Sequence, residues 1–234
     1  MKKTIGIIGG MGPAATVDLF GKIVDNTAAA SDQEHIHILV DCNTAVPDRT
    51  AAILSGGADP LPELTASARR LQEAGADFLV MACNTAHYFC DRVAAAVDIP
   101  ILSMIETAAD YIAAQGGSSA VILATDGTIR SDVYGRCLRA RGIDPVCPPA
   151  ELQSEIMRII YEGVKAGRPD WDADFFNREL EKLETEHNAL SLTACTELPL
   201  AVRLYGLRGH FADPTLLLAR AAVRAAGYEL KGAD

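Results

Sequence analysis

The chain predicts an α/β protein built as two pseudo-symmetric parallel-sheet α/β domains with the functional site between them. Three observations carry this expectation. Eight short apolar runs of strand length alternate with segments rich in Ala, Leu, Glu and Arg, and strand–helix–strand alternation builds parallel sheets with helices on both faces. Landmarks recur at a similar offset: Cys83 is matched 112 residues on by Cys195, the run opening at Thr4 is matched 116 residues on at Ala120, and Ile101-Leu102-Ser103 is matched 110 residues on by Phe211-Ala212-Asp213. Each of the two cysteines follows an apolar run and precedes a helix-like segment, which places both at the carboxyl edge of a sheet, where α/β proteins bind ligands.

Taken in order, the expected strands are residues 4–8, 36–41, 78–82, 99–103, 120–124, 144–147, 189–193 and 210–213. The first runs into Gly9-Gly10-Met11-Gly12-Pro13, a turn whose glycines permit close backbone approach and whose proline is preset for a first helical residue. The second leads into a loop carrying Asp48-Arg49-Thr50, and the third delivers Cys83-Asn84-Thr85-Ala86-His87. In the second half, Ile156, Ile159, Ile160 and Val164 form a helical stripe ending at Lys165, with Gly167 as a cap. Trp171 and the charged run 177–187 read as parts of an amphipathic helix, and the strand at 189–193 delivers Cys195-Thr196-Glu197. Residues 1–100 with 213–228 are expected to form the first domain and 101–212 the second, the last helix returning to cover the first half. Gly and Pro clusters mark turns only; no stretch reads as a linker.

Composition narrows the function. With 234 residues, 49% hydrophobic and 22% charged, the chain can bury a core without disulfides, so its six cysteines are expected as thiols. A formal charge of −10 disfavours nucleic acid or an anionic membrane as partner, and an anionic small substrate needs a locally positive pocket. No Cys-x-x-Cys pair or zinc-like spacing is present, so no metal is expected. The opening apolar run is too short and Gly-broken for a signal peptide or membrane span, and a cytoplasmic location is expected.

The two thiols carry the chemistry. A sulfur beside a helix N-terminus can be held partly as thiolate, and neighbouring hydroxyl and amide groups can grip a carboxylate; two such thiols facing each other form an acid/base pair. Gly10-Met11-Gly12-Pro13-Ala14-Ala15 also fits a dinucleotide fingerprint, with Asp41 ending the second strand, but Asp41 lies 29 residues after Gly12 where about 20 is usual. Arg49 suits a carboxylate or reads as a solvated loop arginine paired with Asp48. Lys165 reads as a helix-end lysine opposing the dipole. Glu197 suits an ammonium or a helix N-terminus, and His87 reads as a structural histidine. Cys42, Cys90, Cys137 and Cys147 lack the flanking threonines and read as packing or surface residues.

At Gly9-Gly10-Met11-Gly12-Pro13, Cys83-Asn84-Thr85-Ala86-His87 and Cys195-Thr196-Glu197-Leu198 the chain resembles the aspartate/glutamate racemase superfamily, and within it the aspartate racemase branch. Pro47-Asp48-Arg49-Thr50 and the segment from Tyr161 to Gly167 add to the likeness, which spans nearly the whole chain. The resemblance implies two pseudo-symmetric α/β domains and racemisation of aspartate, with glutamate second, without pyridoxal phosphate, metal or nucleotide. It further implies Cys83 and Cys195 as the catalytic pair, Cys83 serving the D form and Cys195 the L form. Arg49 and Lys165 would hold the substrate's side-chain carboxylate. Asn84, Thr85 and Thr196 would surround its α-carboxylate and amino group, with Met11 and Glu197 completing the site and a homodimer as the assembly. Cell-wall glutamate racemases typically open on Asp-Ser-Gly and carry Cys-Thr-His, which this chain lacks. Ala194, where relatives often have Gly, is expected to crowd the pocket. The alternatives are a superfamily relative acting on hydantoins or maleate, and a nucleotide- or dicarboxylate-binding protein without chemistry.

Overall fold

A computed structural model describes residues 2–232. The first half contains β1 (Ile5–Gly9), α1 (Pro13–Asn26), β2 (Ile38–Cys42), α2 (Arg49–Leu54), α3 (Leu61–Glu73), β3 (Phe78–Met81), α4 (Cys90–Ala94) and β4 (Ile101–Leu102). Then come α5 (Met104–Ala114), β5 (Ser119–Leu123), α6 (Asp126–Ser131), α7 (Val133–Arg139), β6 (Asp144–Val146) and α8 (Ala150–Arg158). A π-helical segment, Ile159–Lys165, extends α8 and is followed by α9 (Asp174–His187), β7 (Leu190–Thr193), α10 (Leu198–Tyr205), β8 (Phe211–Ala212) and α11 (Pro214–Ala225).

The strands form two four-stranded sheets, β2-β1-β3-β4 and β6-β5-β7-β8, every pair parallel. The central strands β1, β3 and β5 are buried along their whole length, which is why they read as unbroken apolar runs rather than as alternating ones. The two orders superimpose strand for strand, so β3 and β7 occupy equivalent places.

Each sheet is covered by a helix that follows the other sheet's edge strand. Ile105, Ala108, Ala109 and Ile112 of α5, which comes after β4, pack on Ala120, Ile122 and Leu192 of the second sheet. Leu218, Ala219, Ala222 and Val223 of α11, after β8, pack on Ile5, Ile7, Phe78 and Val80 of the first. Burying each such Leu, Ile or Val is worth about 1.5–3 kcal/mol, so the exchange ties the halves together. Ile101 and Leu102, expected in the second domain, pair with Leu79 and Val80 of β3 and belong to the first sheet; the chain crosses over after Leu102. Trp171 stands apart from the amphipathic helix, before α9, where it packs against Tyr205 and donates to Glu155 (2.8 Å). Among the described residues no helix is long and apolar enough to cross a membrane.

Candidate active site

The strand ends meet at one cavity. Met11, Arg49, Cys83, Asn84, Thr85, Lys165, Cys195, Thr196 and Glu197 all line it, together with Asp48, Thr50, Thr125 and Tyr161. About 270 Å³ lies between these walls, but only about 10 Å³ is open to the centre of a water, room for roughly one molecule. A larger hollow beside Trp171, about 640 Å³ on the same measure, opens to solvent and contains neither thiol of the pair.

Cys83 and Cys195 are equally buried, each 5% exposed, and all six cysteines are free thiols. Cys83 follows β3 and precedes a 3₁₀ turn, Thr85–Phe89; Cys195 follows β7, two residues before Glu197, which caps α10. The expectation that a helix N-terminus would favour a thiolate fails at Cys195. Burial pushes its thiol well above the usual range, and the nearby Glu197 carboxylate pushes the same way. Its Sγ–H donates to Glu197 Oε2 at 3.0 Å, and Thr196 Oγ1 donates to the same oxygen at 3.3 Å. Glu197 Oε1 pairs with Lys165 Nζ at 2.8 Å. Burial alone would lower the Lys165 pKa, but Glu197 and Cys195 outweigh it and raise it.

Arg49 is neither solvated nor in a loop: it is the buried first residue of α2, whose N-terminus Asp48 caps by accepting from the Ala51 N–H at 2.7 Å. Its Nη1 donates to the carbonyls of Pro47 (3.0 Å) and Val46 (3.4 Å), and Nη2 donates to the Met11 carbonyl (3.0 Å). Much of the guanidinium is therefore spent on backbone, and Nε is a buried donor without a partner. Burial is the largest influence and lowers its pKa, yet Cys83 and Asp48 beside it hold it above its ordinary value. Met11 thus contributes to the site at least through its carbonyl. Gly10, just before it, lets the turn lie directly against the loop after β2: it sits at φ +89, and a Cβ there would lie 2.3 Å from the Asn43 backbone.

The halves meet across the cavity through hydroxyls. Thr85 Oγ1 from the first half forms a triangle with Thr125 Oγ1 (3.0 Å) and Thr128 Oγ1 (2.9 Å) of the second, closed by a Thr125–Thr128 bond of 3.1 Å. The buried Tyr134 hydroxyl of α7 donates to Asn84 Oδ1 at 2.5 Å, leaving Asn84 Nδ2 as a buried donor without a partner in the cavity wall. Tyr161 donates to Asp48 Oδ2 at 3.2 Å, joining the π-helical segment to α2. On the outer side Lys22 pairs with Asp213, and Arg203 with Asp18, each at 2.6 Å.

His87 is structural: Nδ1 donates to the Cys83 carbonyl (2.8 Å) and Nε2 accepts from the Met104 N–H (3.1 Å). The Ala194 methyl packs into the core beside Ile122, Leu192 and Ala212 and is no part of the cavity wall, so it does not crowd the pocket as expected. Asp41, the acid of the dinucleotide reading, pairs with Arg70 at 2.7 Å. Among the described residues no three His, Cys, Asp or Glu side chains are grouped to hold a metal.

Tyr161, Thr125 and Tyr134 escaped the sequence reading. Only Tyr161 left a signal, standing four residues before Lys165 on the same helical face.

Fold and cavity together define a two-domain α/β protein of the racemase class. The chain belongs to the Asp/Glu/Hydantoin racemase family, which it matches over residues 8–226. An aspartate racemase from Picrophilus torridus is 30% identical with a TM-score of 0.81, covering 98% of this chain and 96% of its own. An aspartate racemase homologue from Pyrococcus horikoshii is 26% identical with a TM-score of 0.77, covering 97% and 100%. The broad specificity amino-acid racemase RacX of Bacillus subtilis is 25% identical over 207 residues, 83% of this chain and 85% of that protein.

Proposed function

We propose that this protein interconverts L- and D-aspartate, with glutamate as a poorer substrate, by two-base proton transfer between Cys83 and Cys195 without pyridoxal phosphate or metal. The observation that carries the reading is that two thiols from equivalent strand ends of two equivalent sheets line one narrow cavity with Arg49 and Lys165. One sulfur, as thiolate, takes the α-proton from one face while the other, as thiol, returns a proton to the opposite face. Two coupled thiols resist ionising together, which favours the mixed state this requires. The weak acidity of the α-carbon is met by water exclusion and fixed dipoles around the developing charge.

Arg49 offers its free Nε–H and charge to the side-chain carboxylate, assisted by Lys165, and Asn84 offers Nδ2 to the α-carboxylate with Thr85 and Thr196 around it. Similarity to a broad specificity racemase supports testing a panel of amino acids, in which a wider range would appear. The proposal includes a homodimer acting in the cytoplasm.

Cys83→Ser and Cys195→Ser should each lower racemisation at least about 10²-fold, as loss of a general acid–base group does. In deuterium oxide each single variant should retain exchange of the α-proton of one enantiomer only, opposite for the two variants, read by NMR. Racemisation near the wild-type rate by either variant would end the two-cysteine reading. Activity lost on exhaustive dialysis and restored by pyridoxal phosphate or a divalent metal would end the cofactor-free one.

A further inference from the structure

The two thiols match in position and burial but not in charged surroundings. Cys195 has a carboxylate 3.0 Å from its sulfur, on Glu197. Facing it from the other elements are Lys165 and Tyr161 on the π-helical segment and Tyr134 on α7, and of these only Lys165 carries charge at neutral pH, a charge already paired with Glu197. Cys83 has the Arg49 guanidinium beside it, with Lys165 farther across the cavity. We propose that Glu197 keeps the proton on Cys195 in the resting enzyme, so that Cys83, beside Arg49, is the sulfur that acts first as base. Glu197 is a positioning residue for a proton, not a group that binds the substrate's ammonium.

The inference rests on the two-base reading for the roles of the sulfurs. In one turnover from the resting form, the substrate's α-proton passes to Cys83 and the Cys195 proton passes to the α-carbon. The enzyme is left with a Cys83 thiol and a Cys195 thiolate. That thiolate now faces the Glu197 carboxylate, so the form is disfavoured and relaxes when one proton returns from Cys83 to Cys195 through water. Lys165, paired to Glu197, keeps the disfavoured form accessible by partly cancelling the carboxylate.

The test reads thiolate directly and needs no substrate, so its failure is distinct from a failure of the racemase reading. Iodoacetamide alkylation of the full-length protein is followed by peptide mass spectrometry, which separates Cys83 and Cys195 from Cys42, Cys90, Cys137 and Cys147. Both residues are 5% exposed, and the shift of the pH midpoint between the wild type and a variant reports ionisation of the thiol and not access to it. In the wild type at pH 7, Cys83 should react at least about threefold faster than Cys195. In Glu197→Gln, which keeps the shape and removes the charge, the pH midpoint for Cys195 alkylation should fall by at least about one unit, the size of effect that a charge within about 4–6 Å has on a titrating group. Its rate at pH 7 should rise at least about threefold, since each unit adds tenfold thiolate but loses part of the gain to weaker nucleophilicity. Lys165→Met should move Cys195 the opposite way, which guards against a general loosening of the site. A wild-type Cys195 that reacts as fast as Cys83, or a Glu197→Gln midpoint that stays or rises, overturns the proposal.

Discussion

Acidification should destabilise this protein through one histidine, by an amount set by its hydrogen bonds. His87 is buried, with Nδ1–H donating to the Cys83 carbonyl and Nε2 accepting from the Met104 amide, so both nitrogens are committed to the neutral ring. A second ring proton would break the bond from Met104 and place a charge in the core. Burial is the dominant cause, and the pKa is lowered from 6.5 to about 4. The unfolded chain therefore binds a proton that the folded chain refuses between these values, so stability is full above pH 6.5 and declines as pH falls toward 4. Linkage gives a loss of about 2 kcal/mol between pH 7 and pH 5 from this group alone. For a chain of this length that corresponds to a fall of about 4–8 °C in melting temperature. The assay is urea unfolding at pH 7, 6 and 5 for the wild type and His87→Asn, which keeps a donor and an acceptor but cannot titrate. The variant will be less stable at pH 7, and its pH dependence should be shallower by about 2 kcal/mol over that span. Parallel curves for the two proteins would refute the reasoning.

Tyr134→Phe removes the hydroxyl that orients Asn84 and leaves a buried Oδ1 without its donor, a change worth about 1–3 kcal/mol in stability; KM for aspartate should rise several-fold, more than kcat falls, and equal effects on both would count against an orienting role. Arg49→Lys should lose at least tenfold in kcat/KM for aspartate, because one ammonium cannot satisfy three backbone carbonyls and still present a free donor as the guanidinium does. Any turnover of alanine, which lacks the side-chain carboxylate, should change much less, and wild-type aspartate kinetics in this variant would remove Arg49 from substrate binding.

The strands were legible because sheets buried on both faces demand continuous apolar runs, and Ile5-Gly6-Ile7-Ile8 and Ser119-Ala120-Val121-Ile122-Leu123 leave no alternation to misread. Both cysteines were legible for a related reason: the residues just past the carboxyl end of a parallel strand lie at the ligand-binding edge of its sheet. The partnerships were not. Lys165 and Glu197 stand on different elements, and only the packing of the π-helical segment against α10 brings them to 2.8 Å. The constraint on Arg49 was hidden as well, since its partners are backbone carbonyls of Met11, Val46 and Pro47, which side-chain identity does not announce. The boundary at residue 101 cuts through the expected strand 99–103, because the pairing of Ile101 and Leu102 with β3 and the crossover just after them are set by the sheet and carry no local sequence mark.

The pseudo-symmetry of the fold suits a reaction whose two products have equal energy, but it does not extend to protons. For racemisation the equilibrium constant is one, so kcat/KM must be the same for both enantiomers whatever surrounds the sulfurs. Glu197 cannot alter that equality, and neither can its removal. By setting how the free enzyme divides between two protonation states it scales kcat/KM for both enantiomers by the same factor, while kcat and KM for each enantiomer are free to differ. A near-symmetric scaffold can therefore carry a carboxylate at one thiol and a guanidinium at the other without violating the balance of the reaction. The asymmetry chooses which enantiomer meets a ready base, and proton return to Cys195 resets the choice after each turnover in that direction.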